Sequence, residues 1–172
     1  MRYAYTLLLY LLLPYVLAHL VWRARRQRGY LDHVPERFGR YPQVADSPLI
    51  WVHAVSVGET RAAEPLIHAM LGKYPGRRIL LTHMTPTGRE AGEALFGGNV
   101  TRCYLPYDFP GAVMRFLRHF QPRAGVLMET EIWPNLIHAC RVQGVPLYLV
   151  NARLSEKSFA GYLRFPRLVR ES

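Results

Sequence analysis

Short apolar runs and longer amphipathic stretches take turns along this chain. Runs suited to buried strands fall at 49–54, 78–82, 102–105, 125–128 and 146–150. Helix-like stretches lie between them at 60–71, 87–95, 109–120 and 133–142. Short turns rich in Gly and Pro separate the blocks. Such alternation predicts βαβ units, hence an α/β, Rossmann-like parallel sheet. Sheets of this kind take ligands in the crevice beyond the carboxyl ends of their strands. Three segments fall there: HAVSVGE (53–59), HMTPTG (83–88) and METEIWPN (128–135).

The front of the chain follows another pattern. Residues 3–22, YAYTLLLYLLLPYVLAHLVW, contain no Asp, Glu, Lys or Arg. Twenty helical residues span roughly 30 Å, about the thickness of a bilayer core. Arg23, Arg25, Arg26 and Arg28 follow at once, which places the rest of the chain on the cytoplasmic side. No A-x-A cleavage site follows the apolar run, so a retained anchor at 1–22 fits better than a signal peptide. Pro14 and His19 leave a second form open, a helix embedded in one leaflet with the basic cluster on acidic headgroups. Residues 23–48 read as a basic connector, partly helical, and 49–172 as the Rossmann-like domain.

Composition narrows the partners. The 172 residues carry a formal net charge of +10, and all the cationic residues are Arg except Lys73 and Lys157. Arg grips phosphates and carboxylates through a planar fork. Acidic lipid, a phosphorylated substrate and nucleic acid all suit that charge. No RRM, KH or helix-turn-helix pattern supports nucleic acid. Cys103 and Cys140 stand far apart without a metal-type spacing, and the His are scattered. G-x-G-x-x-G, the P-loop and G-x-S-x-G are all missing.

Each crevice segment has a structural and a chemical reading. Ser56-Val-Gly-Glu59 has the form of a capping box, with Ser56 as cap and Glu59 reaching back to the Ser56 amide. Gly58 is a poor residue for a first helical turn, but it leaves room for a ligand near the backbone. Glu59 at that mouth could deprotonate a hydroxyl. Thr85, Thr87 and Gly88 could supply donors to an anion at a helix start, or form an ordinary turn in which Thr87 caps and Gly88 is the first helical residue. If the fourth strand runs on, Glu129 and Glu131 share a face; otherwise they are solvated loop carboxylates. Trp133 suits a sugar platform or the core. Asp108 suits the cap of the helix at 109–120, and Asn151 the end of the fifth strand.

HAVSVGE, THMTPTGRE, YLPYD, METEIWPN and LVNARLS, in that order behind an apolar N-terminus, resemble the 3-deoxy-D-manno-octulosonic acid (Kdo) transferases of Gram-negative lipopolysaccharide synthesis. The resemblance implies the N-terminal, acceptor-binding half of a GT-B glycosyltransferase. Kdo would pass from CMP-Kdo, without a metal ion or other cofactor, to the 6′-hydroxyl of the tetraacylated lipid A precursor. It would do so at the cytoplasmic face of the inner membrane. By the same resemblance Glu59 is the general base and Glu129 stabilises the transition state. Ser56, Gly58, Arg61, Thr85, Thr87, Gly88 and Glu131 are expected to contact substrate, and Arg61, Arg89 and the connector are candidates for the acceptor phosphates. The CMP-Kdo site belongs to a C-terminal domain with no counterpart in these residues, so the piece alone is expected to be inactive. The alternative is a non-catalytic, membrane-associated module for anionic lipid.

Overall fold

The computed structural model describes residues 2–42, 49–129 and 133–152. Five parallel strands form one sheet: β1 (Leu49–His53), β2 (Arg78–His83), β3 (Thr101–Tyr104), β4 (Ala124–Met128) and β5 (Leu147–Val150). Their order is β3-β2-β1-β4-β5. Helices α2 (Val57–Lys73), α3 (Pro86–Phe96), α4 (Pro110–Phe120) and α5 (Pro134–Gln143) connect them.

The strands read as apolar runs because both faces of the sheet are covered. On one face Trp51, Leu80 and Leu127 pack with Phe116 and Phe120 of α4 and Leu136 of α5. On the other Val52, Leu81 and Val126 pack with Ala63 and Ile67 of α2 and Phe96 of α3. Successive residues Trp51 and Val52 thus feed opposite cores, as the period of two requires. Cys103 and Cys140 are buried and unbridged.

α1 (Arg2–Ala24) is long and apolar enough to cross a membrane by length and composition. It lies along the body instead of standing clear of it. Near its start, Arg2 and Thr6 donate to Asn135 Oδ1 at 3.4 and 3.1 Å. Further on, Tyr10 packs against Phe109 with ring centroids 4.9 Å apart. At its end Leu20 and Ala24 are buried with Tyr30. Leu7, Leu8, Leu11 and Leu12 face outward.

The connector forms two 3₁₀ turns, Arg28–Tyr30 and Val34–Phe38, and it is tied into the body. Glu36 is buried, accepting from the Tyr104 amide at 2.8 Å and from Arg89 at 2.7 Å. The Arg37 carbonyl accepts from the Tyr107 amide at 2.8 Å.

Candidate active site

Strand order reverses between β1 and β4, the two neighbours at the centre of the sheet. Their carboxyl ends therefore open on the topological switch point, where α/β sheets place ligands. β1 leads through Val55 and Ser56 into α2 and its Glu59; β4 ends at Met128, directly before Glu129. Residues seventy apart in the chain thus face one crevice.

Glu59 is 8% exposed. Its Oε2 accepts from the Val55 amide at 2.7 Å and its Oε1 from the Ser56 hydroxyl at 3.0 Å. This differs from a standard capping box, in which Ser56 would accept from an amide of the helix and Glu59 would reach the Ser56 amide. Ser56 caps by backbone conformation alone and spends its hydroxyl on the carboxylate. Burial pushes the Glu59 carboxyl above its ordinary value; the Val55 and Ser56 hydrogen bonds oppose that, and the nearby Glu129 charge adds to it.

Gly58 is exposed, and a Cβ there would meet only Ser56 Oγ at 4.0 Å. Among the described residues no internal contact demands glycine at that position. Arg61, one turn into α2, is exposed.

The fourth strand does not run on. Glu129 has φ +60°, a left-handed turn that breaks the alternation, and its amide donates to the Val150 carbonyl at 2.9 Å. The expected pairing of Glu129 with Glu131 on one face involves a residue outside the described ones. Trp133 is half-buried and packs on the core beside His53, ring centroids 6.2 Å apart.

At the second segment the helix begins earlier than expected. Thr85, not Thr87, is the cap: its Oγ1 accepts from the Gly88 amide at 3.1 Å, and Pro86 takes the first helical position. The Gly88 amide is thus used within the fold. Gly88 is needed for close approach, since a Cβ would come within 3.0 Å of Thr85 Oγ1 and 3.1 Å of the Val55 carbonyl. Thr87 is exposed, its hydroxyl 3.4 Å from Thr85 Oγ1. Val55 joins the two segments: its carbonyl accepts from Thr85 Oγ1 and from the Met84 amide, both at 3.2 Å.

Arg89 is not a free phosphate contact. It pairs with buried Glu36 and lies over the Tyr104 ring at 5.1 Å. Asp108 does not cap α4 either. Its two oxygens accept from the amides of Asn135 and Leu136 at 3.0 and 2.8 Å, capping α5 from across the crevice. Burial raises the Asp108 carboxyl to about 6, against the pull of those two amides.

Sequence reasoning missed a buried polar floor beneath the site. Thr82 Oγ1 accepts from Trp51 Nε1 at 2.7 Å and lies 2.9 Å from His53 Nδ1. His83 Nδ1 donates to the Ala54 carbonyl at 2.9 Å. Burial pushes His53 down to about 3 and His83 to about 4, so both rings are neutral and serve as fixed spacers. Their shared position as the last residue of a strand was the available signal. Among the described residues no group of His, Cys, Asp or Glu is placed to hold a metal ion. A cavity of about 270 Å³ opens beside Val55 and Thr85, walled on its far side by α1.

The model of the family described as "3-Deoxy-D-manno-octulosonic-acid transferase (kdotransferase)" matches residues 32–172. A 3-deoxy-D-manno-octulosonic acid transferase of Bordetella pertussis is 51% identical over 173 residues, covering 94% of this chain and 40% of the relative. That of Haemophilus influenzae is 39% identical over 163 residues, covering 94% of the chain and 38% of the relative. The chain thus spans about two fifths of the length of these curated relatives. By family match, by identity along nearly its whole length and by its α/β fold, this chain belongs to the Kdo transferase family and corresponds to its N-terminal part.

Proposed function

We propose that these residues form the acceptor-binding half of an inverting GT-B glycosyltransferase, attached to the cytoplasmic face of the inner membrane through α1. The acceptor is the 6′-hydroxyl of the tetraacylated lipid A precursor and the donor is CMP-Kdo, held by the part of the relatives' length that this chain does not span. Glu59 takes the hydroxyl proton, the acceptor oxygen bonds to the anomeric carbon of Kdo, and the bond from that carbon to the CMP phosphate oxygen breaks. CMP leaves with the electron pair and the configuration inverts. Glu129, across the switch point, faces the oxocarbenium character that develops meanwhile. Gly58 and Ser56 line the approach, with Arg61 and Thr87 on the solvent side.

One observation carries this reading. Glu59 is a buried carboxylate at the carboxyl end of β1, raised above its ordinary value, and its two protein partners leave lone pairs unused. A general base gains driving force when its pKa is lifted toward the working pH.

The test is Glu59→Gln in the full-length enzyme with CMP-Kdo and the lipid acceptor. Transfer should fall by at least about 10²-fold, the usual share of a general base, while acceptor binding holds. Turnover near wild type would remove Glu59 from the role.

A further inference from the structure

The carboxyl end of β2 holds the loop that carries Glu59, one peptide group at a time. The Ala54 amide donates to the Thr82 carbonyl at 3.0 Å. The Ala54 carbonyl accepts from His83 Nδ1 at 2.9 Å. The Val55 carbonyl accepts from the Met84 amide and from Thr85 Oγ1, both at 3.2 Å. The middle contact differs in what it holds. The Ala54 carbonyl and the Val55 N–H are the two ends of one planar peptide group, and that N–H donates to Glu59 Oε2 at 2.7 Å. His83, the peptide and the carboxylate therefore form one chain of hydrogen bonds, all running toward Glu59. A second thread passes through Thr60. Its Oγ1 lies 3.4 Å from His83 Nδ1 and donates to the Ser56 carbonyl at 2.8 Å, and the Ser56 hydroxyl is the other donor to Glu59.

His83 is fully buried. Its Nδ1 faces a carbonyl, which can only accept, so Nδ1 carries the proton of the neutral ring. Nε2 is then a bare lone pair, without a hydrogen-bond partner among the described residues. α3 closes over that side: a Cβ at Gly92 would stand 2.8 Å from Nε2. The ring is thus held in one tautomer and one place. Burial, and then the charges of Arg89 in α3 and Arg102 in β3, hold it down at about 4, and His53 of β1 beside it is neutral as well.

We propose that His83 is a positioning residue for the reaction: through the Ala54–Val55 peptide it aims the Val55 N–H at Glu59 and strengthens that hydrogen bond to the carboxylate. The role rests on the general-base reading of Glu59. A donor on the carbonyl polarises the peptide and makes its N–H a better donor. That N–H favours the charged form of Glu59, against the burial and the Glu129 charge that favour the neutral one. His83 does not reach the substrate; it sets how much of Glu59 stands ready to take a proton.

The experiment uses the full-length enzyme in lipid nanodiscs with CMP-Kdo and the lipid acceptor. His83→Leu removes the donor, and His83→Asn returns an amide N–H close to the place of Nδ1. The Glu59 carboxyl is titrated through its infrared band, assigned as the one missing from Glu59→Gln, and the pH profile of kcat is read beside it. In His83→Leu both should move to higher pH by about half a unit to one unit, the size of one hydrogen bond. His83→Asn should bring both back toward wild type. A lower Tm and rate in His83→Leu with the Glu59 titration unmoved would mark a merely structural histidine and overturn the proposal. So would equal shifts in His83→Leu and His83→Asn. If His83→Leu does not fold, the wild-type ring decides. Its nitrogen NMR signals, assigned by their absence from His83→Asn, should show the proton on Nδ1 at neutral pH, and a proton on Nε2 alone would overturn the proposal. Full transfer by Glu59→Gln beside a Glu59 titration that follows His83 sinks only the general base. Loss of transfer in Glu59→Gln beside a titration indifferent to His83 sinks only the positioning.

Discussion

Glu59 is held by two donors that stabilise its charge inside surroundings that oppose it. Because its folded pKa is raised, the stability linked to the group is present at low pH and lost as pH rises through that value. Glutamine keeps an acceptor for the Val55 amide and carries no charge. Glu59→Gln is therefore expected to match or exceed the wild-type Tm at neutral pH, with the difference vanishing in acid, while transfer is lost. The wild-type rate should fall as pH drops through a value above the ordinary carboxylate range. A lower Tm together with retained transfer would make Glu59 a structural cap. Gly58 gives a sharper contrast. Alanine there meets open space and improves helix propensity by about 1 kcal/mol, so Gly58→Ala should raise Tm and weaken acceptor binding. Unchanged binding would show that no ligand approaches that backbone.

The helices are joined by a few polar residues that their own sequences do not announce. Asp108, at the end of the loop after β3, caps α5; Asn135 in α5 returns its Nδ2 to the Asp108 carbonyl at 2.6 Å and accepts from Arg2 and Thr6 of α1. One node therefore fixes α5 and seats α1. Asp108→Ala should cost about 1–2 kcal/mol, the upper range for a lost cap, read by chemical denaturation. It should also raise hydrogen exchange at the start of α1. Protection of α1 equal to wild type would show that other contacts suffice to seat it.

For the molecule as a whole, both ends of α1 touch one body, which cannot stand on two sides of a bilayer. The helix is then expected to lie in the interface with its outward leucines in lipid. Tyr3→Cys and Arg26→Cys should both react with an impermeant thiol reagent from the cytoplasmic side. Labelling of Tyr3→Cys from the opposite side alone would show a spanning helix. Acid should also destabilise the fold. Unfolded imidazoles take up protons below about 6.5, whereas His53 and His83 stay neutral in the fold down to about 3 and about 4. Each removes about 1.4 kcal/mol per pH unit as pH falls through that window. Asp108, raised to about 6, and Glu59, also raised, oppose them. Glu59→Gln removes one of these two, which leaves one proton against two, so its urea midpoints should drop below about pH 6, and a flat profile in that variant would show the two rings reached by water.

Periodicity and turn chemistry were enough to read the five strands, the four connecting helices and the apolar front, because each depends on neighbours a few residues apart. The strands begin and end within one residue of their expected bounds, as with β1 at Leu49–His53. The helix starts shifted by up to three residues, since α2 begins at Val57 directly after Ser56. Glu59 could be placed at a strand-to-helix mouth for the same local reason. Strand order could not be read that way, and with it came the meeting of Glu59 with Glu129, the capping of α5 by Asp108 and the neutral histidine floor. The burial of the connector's Arg37 against Tyr104 of β3 likewise came only with the tertiary structure. Those pairings join residues tens of positions apart, and what selects them is the packing of two cores on a closed set of neighbours, which no local pattern of hydrophobic and polar residues records.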